Sequence, residues 1–476
     1  MPVRRRAAKA RTRRVSDEPL RAAGLLRDAE RHVRTALAVG ADEAEAFVLA
    51  GRGASLRIEK GSLTNGSVGE ERGVALTVEK KGRRGFAYFT EDADAKTAAR
   101  RALASARILG PSPGLAEKVA LKPVSGLFDA KLARWSTEAA IEAAVAMMDA
   151  ARGRAPDAVI AGGGLGWGTE AYALATSCGF KGAVEGTSLG GSLHLVLREA
   201  DATATGFDYV SSRALKGVDF AGCGREAADL AMRSRRPKRV EGGPQTVVFR
   251  PTALDGLFEF LFARAVLGET AHAGQSVFSG RLGARVMPEA WSLVDDPRRR
   301  GGAMSAPFDD EGVPTRKVAI VKKGLLATFL DDRDTAARHG AKPSGVAVRA
   351  ERMSSDRSFR APPRAVGRNV TLEGPASDEA ALLAGIRRGV LVHDAMGAHT
   401  ANAASGDFAV SSSTLFEIRD GEVAGPLKGA MVSGNFPDAL AKLEAAGRDV
   451  RPLGGAFSPL AMYLPSLRVG GLRVTG

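Results

Sequence analysis

Apolar residues recur at helical spacing in several segments of the chain, and good helix formers fill the positions between them. In "STEAAIEAAVAMMDAARG" the residue Ser136 or Thr137 fits the N-cap position, because its side-chain oxygen can accept a hydrogen bond from a free backbone N–H of the first turn. The periodicity predicts helices over residues 21–38, 92–109, 136–153, 220–236, 252–267 and 377–387.

Alternating polar and apolar residues, separated by glycine-containing turns, fill much of the remaining sequence. This pattern predicts strands within residues 55–63, 74–82, 85–90, 158–180 and 186–212. After residue 240 the same pattern returns in "TVVFR", "KVAIVKKGLLATFL", "GVLVHD", "STLFEIRDGEVAG" and "SLRVGGLRVTG". Helices and strands therefore mix without the strict alternation of a parallel α/β fold, which predicts the α+β class.

The order of these segments predicts three folded units after a basic tail. Residues 1–20 form the tail, and residues 21–125 form an N-terminal α+β domain of one helix, antiparallel strands and a second helix. Residues 126–240 form a middle α+β domain, which ends in the basic, Pro/Gly-rich linker "RPKRVEGGPQ". Residues 241–476 form a large, strand-rich C-terminal domain. A chain of 476 residues is long enough for two or three cores.

Charge is concentrated at the start of the chain. The first fifteen residues carry seven arginines and lysines and no acid, which is half of the net charge of +14. Such a tail can contact a phosphate backbone by charge alone, although a solvated arm is the alternative, and few aromatic residues stand near the arginines as stacking platforms. The apolar content of 44%, the two cysteines and the lack of any long apolar run predict a cytoplasmic protein that does not enter a membrane.

Several common catalytic and nucleotide-binding motifs do not occur in the sequence. The glycine run "GGGLGWG" contains no G-x-G-x-x-G register and lies between strand-like segments, which favours a strand with close backbone approach over a dinucleotide loop. Neither a P-loop nor a G-x-S-x-G elbow is present, and the two cysteines have no neighbouring base. We therefore expect no cofactor-binding residues in this chain.

Two histidines in "GVLVHDAMGAHTANAASGDF" raise the question of a metal site. His393, Asp394 and His399 are the candidate ligands there. The two histidines are six positions apart, which in an extended chain would separate them by about 20 Å, so a reversal near Gly397 would be needed for both to bind one zinc ion. None of the six histidines forms an H-E-x-x-H or H-E-x-x-x-H pair. We favour a strand and loop here and expect neither a metal site nor catalytic residues in this chain.

An acidic cluster is the second candidate for ion binding. Asp309, Asp310 and Glu311 are consecutive, and Asp295 and Asp296 precede them. Carboxylate oxygens could bind a hard cation. The alternative, which we favour, is a turn whose acids accept hydrogen bonds from backbone amides or pair with the arginines at 298–300.

Long stretches of the chain resemble the TldD/PmbA family. The most specific are "SVFSGRLGARV", "LVDDPRRRGG" and "PFDDEGVPTRKVAIVKKGLLATFLDDRDTAARHG", followed by "GVLVHDAMGAHTANAASGDF" and "FEIRDGEVAGPLKGAMVSGN". The N-terminal "LRIEKGSLTNGSVGEERGVALTVEKKGRRGFA" is also similar to the first domain of that family. The resemblance implies a cytosolic role in proteolysis, associated with trimming leader peptides or degrading small unfolded proteins.

In that family the TldD-like subunit binds its metal through H-E-x-x-x-H on a helix and a later cysteine, whereas the PmbA/TldE-like subunit lacks these ligands and pairs with the first. At the corresponding positions this chain has Phe258, Glu259 and Ala263, and no cysteine follows Cys223. The resemblance therefore implies a metal-free subunit that shapes a chamber or binds an extended peptide at a strand edge. Zinc is expected in a TldD-like partner.

Two other functions remain open from the sequence alone. One is a self-sufficient metallopeptidase with a relocated metal site, for which His393 and His399 are the prime candidates. The other is a nucleic-acid-associated modulator that acts through the arginine-rich tail.

Overall fold

A computed structural model of the chain describes residues 21–90, 94–108, 110–199 and 203–476. The predicted basic tail, residues 1–20, lies outside the described residues. The described part is an α+β structure in which strands predominate, as the sequence predicts.

One antiparallel sheet contains three strands of the N-terminal part and three strands of the middle part. Its order is β3-β2-β1-β4-β5-β6. The strands are β1 (Glu43–Glu59), β2 (Ser62–Lys80), β3 (Arg83–Phe89), β4 (Val159–Thr176), β5 (Lys181–Arg198) and β6 (Thr203–Ser212). The pairing of β1 with β4 joins the two parts, so the sheet is continuous across the sequence boundary near residue 125.

Four helices pack on one face of this sheet in two pairs. They are α1 (Ala22–Ala38), α2 (Ala95–Ser105), α3 (Thr137–Arg154) and α4 (Phe220–Arg233). The first pair covers one end of the sheet with small and branched apolar side chains, and the second pair covers the other end. The N-cap of α3 is Ser136, whose hydroxyl oxygen accepts a hydrogen bond from the Ala139 amide at 3.2 Å, which confirms one of the two predicted caps.

Close approach of α3 and α4 depends on a glycine. A Cβ atom added to Gly224 would lie 2.0 Å from the carbonyl oxygen of Met147 on α3, a distance that no real contact allows. Only a residue without a side chain lets the two helix backbones approach this closely.

The C-terminal part contains a mixed eight-stranded sheet, a six-stranded sheet and a two-stranded ribbon. Its first strands are β7 (Gly243–Phe249), β8 (Ser292–Asp295), β9 (Val318–Lys322), β10 (Leu325–Leu326), β11 (Ala347–Arg349), β12 (Pro363–Ala365), β13 (Val370–Glu373) and β14 (Arg388–Val392). The later strands are β15 (Asp407–Ser412), β16 (Leu415–Arg419), β17 (Glu422–Leu427), β18 (Ala430–Asn435), β19 (Leu443–Ala446), β20 (Arg451–Gly454), β21 (Ala461–Leu464) and β22 (Leu467–Thr475). The larger sheet has the order β15-β18-β22-β7-β14-β16-β17, with β19 also paired to β22. The six-stranded sheet has the order β10-β9-β8-β13-β21-β20, and β11 pairs with β12.

Short helices connect these strands. They are α5 (Pro251–Leu257), α6 (Gly268–His272), α7 (Arg333–His339), α8 (Glu379–Leu383) and α9 (Phe436–Ala441). The predicted helix at 252–267 is interrupted, since α5 continues into a π-helical turn at Phe258–Ala263. Isolated π-helical turns within helices are uncommon and often mark functional positions.

Aromatic side chains join the first sheet to the C-terminal part. Phe47 and Tyr172 lie on the sheet face opposite the helices, and Phe308 and Phe359 of the C-terminal part pack against that face. All four side chains are buried. The rings of Tyr172 and Phe308 meet edge to face with their centroids 5.8 Å apart. The first two parts of the chain are therefore docked on the third through an apolar contact.

Candidate functional site

The π-helical turn after α5 is the place where the resemblance locates the metal ligands of the catalytic subunit. Phe258 is 2% exposed, and its ring packs against Phe262 and Phe436 with centroids 5.5 and 5.6 Å away. Ala263 is also buried and has no atom that can bind a metal. The two positions that correspond to the histidines of the TldD-like subunit therefore contribute to the hydrophobic core of this chain.

The glutamate of this turn is present, but its carboxylate is already bound by the protein. Glu259 accepts hydrogen bonds from the amides of Ala456 and Phe457 at 3.0 and 2.9 Å. The hydroxyl of Ser458 donates to the same carboxylate at 2.9 Å. These bonds fasten the loop after β20 to the helix, so Glu259 has a structural role here.

A second carboxyl group, which is partly buried, lies one turn earlier at Asp255. Burial, reinforced by the nearby Glu259, raises the pKa of Asp255 to about 7. Its Oδ1 atom is buried without a hydrogen-bond partner among the described residues. Sequence reasoning overlooked this pair, although two acids four residues apart in the apolar segment "ALDGLFEFLF" are a detectable signal.

A zinc ion does not fit the side chains of this turn. Zinc sites in proteins use imidazole, thiolate and carboxylate ligands in a tetrahedral arrangement. Here the only such ligand among the three corresponding positions is Glu259, which is engaged with the 456–458 loop. Across the described ranges, no group of three or more His, Cys, Asp or Glu side chains is arranged to hold a metal ion.

The structure gives the candidate residues of the 389–408 stretch three different environments. His393 follows β14 and packs edge to face on Phe416 at 5.3 Å. Burial and the nearby cations Arg250 and Arg233 lower the pKa of His393 to about 3, so its ring is neutral. Its Nε2 atom is buried and has no hydrogen-bond partner in the described part of the chain.

The other two candidates are engaged elsewhere or exposed. The carboxylate of Asp394 accepts hydrogen bonds from the Ser412 hydroxyl, the Ser413 amide and hydroxyl, and the Thr414 amide, at 2.7 to 3.1 Å. Asp394 thus closes the turn between β15 and β16. His399 lies exposed in a 3₁₀ turn, with its ring 6.2 Å from that of Phe260.

The fold brings together two histidines that are far apart in sequence. The ring of His272, at the end of α6, stacks on the ring of His339, at the end of α7, with centroids 3.8 Å apart. The Nε2 atom of His272 lies 4.0 Å from Oδ1 of Asp331. Ring lone pairs lie in the ring plane, so two stacked imidazoles cannot both direct a nitrogen at one ion without turning. No sequence spacing predicts this pair.

The acidic cluster is buried and binds backbone amides. Asp309 accepts hydrogen bonds from the amides of Glu311, Val313 and Ala347 at 2.9 to 3.0 Å. Asp310 accepts from the Arg349 amide at 2.8 Å and pairs with the Arg357 guanidinium at 3.0 Å. The favoured interpretation as amide-binding acids is confirmed. The other form of that interpretation, pairing with the arginines at 298–300, is not observed for Asp310, whose guanidinium partner is Arg357.

Burial also governs the pKa values in this cluster. It raises the pKa of Asp309 to about 7 and, together with the charges of Asp309 and Asp332, raises the pKa of Glu311 well above its ordinary value. These groups are fixed between the first sheet and the C-terminal part, and the hydrogen bonds they accept account for their presence.

The two cysteines show no sign of nucleophilic activation. Burial raises the pKa of Cys223 to about 12, and burial also raises the pKa of the partly exposed Cys178. A thiol acts as a nucleophile or metal ligand as its thiolate, which these environments disfavour.

Of the helices in the described ranges, none is long and apolar enough to cross a membrane.

Three family sequence profiles match consecutive parts of the chain. Residues 44–106 match domain 1, residues 130–235 match the central domain and residues 242–476 match the C-terminal domain of the PmbA/TldA metallopeptidases. The chain belongs to the PmbA/TldD family.

Known members of the family are similar to this chain in sequence and in fold. The metalloprotease PmbA of Escherichia coli O157:H7 is 24% identical over 463 residues, which cover 93% of this chain and 96% of that protein. A metalloprotease of Methanothermobacter thermautotrophicus is 30% identical over 246 residues, which span about half the length of each protein. The crystal structure of TldE from Thermococcus kodakarensis superimposes with a TM-score of 0.84 at 24% identity, covering 94% of this chain and 99% of that one. The family and the names of its members indicate a role related to proteolysis, and the likeness to TldE concerns the fold.

Proposed function

We propose that this chain is the metal-free, PmbA/TldE-like subunit of a zinc metallopeptidase complex that trims leader peptides or degrades small unfolded proteins. The observation that carries the proposal is the π-helical turn Phe258–Ala263. Phenylalanine and alanine occupy the two imidazole positions, and Glu259 is bound by the 456–458 loop. Proteolysis by such a chain requires a zinc ion supplied by a TldD-like partner.

The second part of the proposal is that an extended peptide pairs with the open edge of β2. The strand β3 pairs only with residues 74–80 of β2. Residues 64–71 are exposed, and within the described ranges their only paired strand is β1. Backbone N–H and C=O groups on such an edge can bind a further strand.

The register identifies which residues present their backbone groups to this edge. The amides of Arg84 and Phe86 bond to Gly110 and Ser105, away from β2, so the intervening residues of β3 face β2. The partner of Gly85 is Val78, and the pairing of β1 with β2 continues without a register shift down to Asn65. Because strands alternate with a period of two, Gly66, Val68 and Glu70 point their backbone groups outward.

Co-purification with a TldD-like subunit from the same organism tests the first part of the proposal. We expect a stoichiometric complex, with zinc bound in the partner and peptidase activity only when both chains are present. Metal analysis of this chain, purified without a histidine tag, is the control. Stoichiometric zinc or peptidase activity in the isolated chain, or failure to form a complex, would contradict the proposal.

The substitution Val68→Pro tests the strand edge. Val68 is 57% exposed, and proline removes its outward N–H while leaving the bonds to β1 in place. We expect the complex to assemble normally and its kcat/KM for an unfolded peptide to fall roughly tenfold, which corresponds to about 1.4 kcal/mol. Val68→Thr keeps the N–H and is the matched control. Equal activity of the two variants would rule out peptide pairing at this edge.

A further inference from the structure

Three arginines from different elements lie near the end of the π-helical turn. Arg264 directly follows the turn, Arg364 is the middle residue of β12, and Arg352 lies in the turn after β11. Arg264 and Arg352 are exposed, whereas Arg364 is partly buried. None of the three side chains has an ion-pair or hydrogen-bond partner among the residues that the structure describes. We call these three residues the arginine cluster.

Backbone contacts place the three elements side by side. The segment after the π-helical turn is joined to the residues before α7, because the amide of Gly268 donates to the carbonyl of Leu330 at 2.9 Å. Those residues are joined to β12, because the carboxylate of Asp332 accepts from the amide of Ala365 at 3.2 Å. The strand β12 pairs with β11. The arginine cluster therefore belongs to one connected part of the fold.

The charges of the cluster act on one another. Burial lowers the pKa of the Arg364 guanidinium, and the charges of Arg352 and Arg264 lower it further, whereas the carboxylate of Glu269 raises it. Such mutual effects require the groups to be neighbours. Three cations and one carboxylate thus share this region, which leaves a surplus of two positive charges.

This arrangement is unfavourable without a ligand. Arg364 is partly buried, and its Nε atom is buried without a hydrogen-bond partner in the described ranges. Removing part of a guanidinium from water without a partner costs free energy, and two further cations beside it add repulsion. A bound anion would offset both costs, because it supplies the opposite charge and hydrogen-bond acceptors for the exposed nitrogens.

The number of arginines indicates the class of anion. A guanidinium is a planar fork that donates to the oxygens of carboxylates and phosphates. A carboxylate has two oxygens, whereas a phosphate group carries three strong acceptor oxygens and close to two negative charges. Three guanidinium groups from three elements can each donate to a different oxygen of one phosphate, and two negative charges balance the surplus.

We propose that Arg264, Arg352 and Arg364 bind one doubly charged phosphate group, either free phosphate or a phosphate carried by a peptide. The site lies in this chain alone. Its occupation depends neither on a partner subunit nor on peptide pairing at the edge of β2.

Calorimetric titration of the isolated full-length chain with inorganic phosphate, at about pH 8 in a chloride buffer, tests the proposal. We expect one phosphate to bind per chain. Arg364→Gln should weaken binding at least about tenfold, and Arg364→Lys, which keeps the charge but lacks the fork, should restore only part of the affinity. Glu269→Gln removes the neighbouring negative charge and should strengthen binding.

Arg419→Gln is the matched control, because it removes the same charge from β16 of the eight-stranded sheet, where Arg419 pairs with Glu417. Its phosphate binding should equal that of the wild type. Arg352→Gln, at an exposed position, repeats the test with a second member of the cluster and keeps it valid if Arg364→Gln does not fold.

A capped tripeptide with a central phosphoserine distinguishes the two sources of the phosphate. Tighter binding than inorganic phosphate indicates a phosphate carried by a peptide, and equal or weaker binding indicates the free ion. The proposal is overturned if phosphate does not bind at about 10 mM, if acetate binds equally well, or if the folded Arg364→Gln and Arg352→Gln variants bind phosphate as the wild type does. None of these results depends on complex formation, so they separate this proposal from the proposed function.

Discussion

Arg349 donates from its guanidinium to the carboxylate of Glu45 at 2.7 Å, across 304 positions of sequence. The two side chains are 1% and 7% exposed. Glu45 lies on β1 of the first sheet, and Arg349 ends β11 of the C-terminal part. This buried ion pair therefore joins the two halves of the molecule, and the guanidinium of Arg349 lies 5.3 Å from the centre of the Phe47 ring.

Breaking this pair on one side should be strongly destabilising. Glu45→Ala leaves the guanidinium of Arg349 buried without its charged partner, which typically costs about 3–5 kcal/mol. The double variant Glu45→Met, Arg349→Met removes both charges and should recover much of the loss. The free energy of unfolding from urea titration measures both effects.

An ion pair of the C-terminal part whose two side chains are about half exposed provides the control. Lys317 and Glu373 meet at 2.5 Å with both side chains about half exposed, and Glu373→Ala should cost at most about 1 kcal/mol. A loss for Glu45→Ala no larger than that for Glu373→Ala would show that the buried pair does not hold the two halves together.

Two helix glycines should respond to alanine with opposite signs. At Gly224 a Cβ atom would collide with the carbonyl of Met147, so Gly224→Ala should separate α3 from α4 and lower stability by roughly 1–3 kcal/mol. Gly153, near the end of α3, has no atom within 4 Å of an added Cβ, and Gly153→Ala should stabilise by about 0.5–1 kcal/mol. Thermal unfolding of both variants distinguishes these outcomes. Equal shifts would show that the α3–α4 contact can adjust.

Short sequence patterns predicted the helices, the helix cap and the strand that depend on neighbouring residues. The expected first helix over 21–38 is observed at Ala22–Ala38, and the expected cap of the third helix is Ser136. The glycine run "GGGLGWG" lies within β4, as its strand-like flanks predicted. Apolar periodicity, capping residues and turn glycines act within a few residues, which is why sequence alone reveals them.

Long-range pairings could not be predicted in this way. The pairing of β1 with β4 joins residues more than 100 positions apart, and the stacking of His272 on His339 joins two separate helices. The same is true of the burial of the 309–311 acids, because their partners Ala347, Arg349 and Arg357 lie beyond them in sequence. The absence of imidazoles at 258 and 263, in contrast, was visible in the sequence, whereas the engagement of Glu259 required the structure.

Replacing Glu259 should affect stability and leave metal content unchanged. Glu259→Ala removes a carboxylate that accepts hydrogen bonds from two amides and one hydroxyl of the 456–458 loop. Such charge-assisted bonds contribute about 1.5–3 kcal/mol each, and they are not additive, so we expect a total loss of about 2–4 kcal/mol. Urea titration and metal analysis are the measurements. Glu269→Ala, at an exposed position on α6, is the control and should change neither. A variant with wild-type stability and reduced metal content would indicate that Glu259 is a ligand.

The raised pKa of Asp255 makes a specific contribution to the pH dependence of stability. Its pKa is about 7 in the folded chain and 3.8 as its ordinary value, so between these pH values the folded state holds a proton that the unfolded state has lost. The contribution is therefore complete below about pH 4 and is lost as the pH rises through 7, by about 4 kcal/mol in total.

Asp255→Asn cannot lose this proton, so its stability relative to the wild type should increase from pH 4 to pH 8 and then remain constant. The lowered pKa of His393 changes stability in the opposite direction over pH 3 to 6.5, but this histidine is present in both proteins and its effect cancels in the difference. Urea titrations at several pH values measure that difference. A constant difference between wild type and Asp255→Asn across this range would show that Asp255 is already ionised in the folded chain.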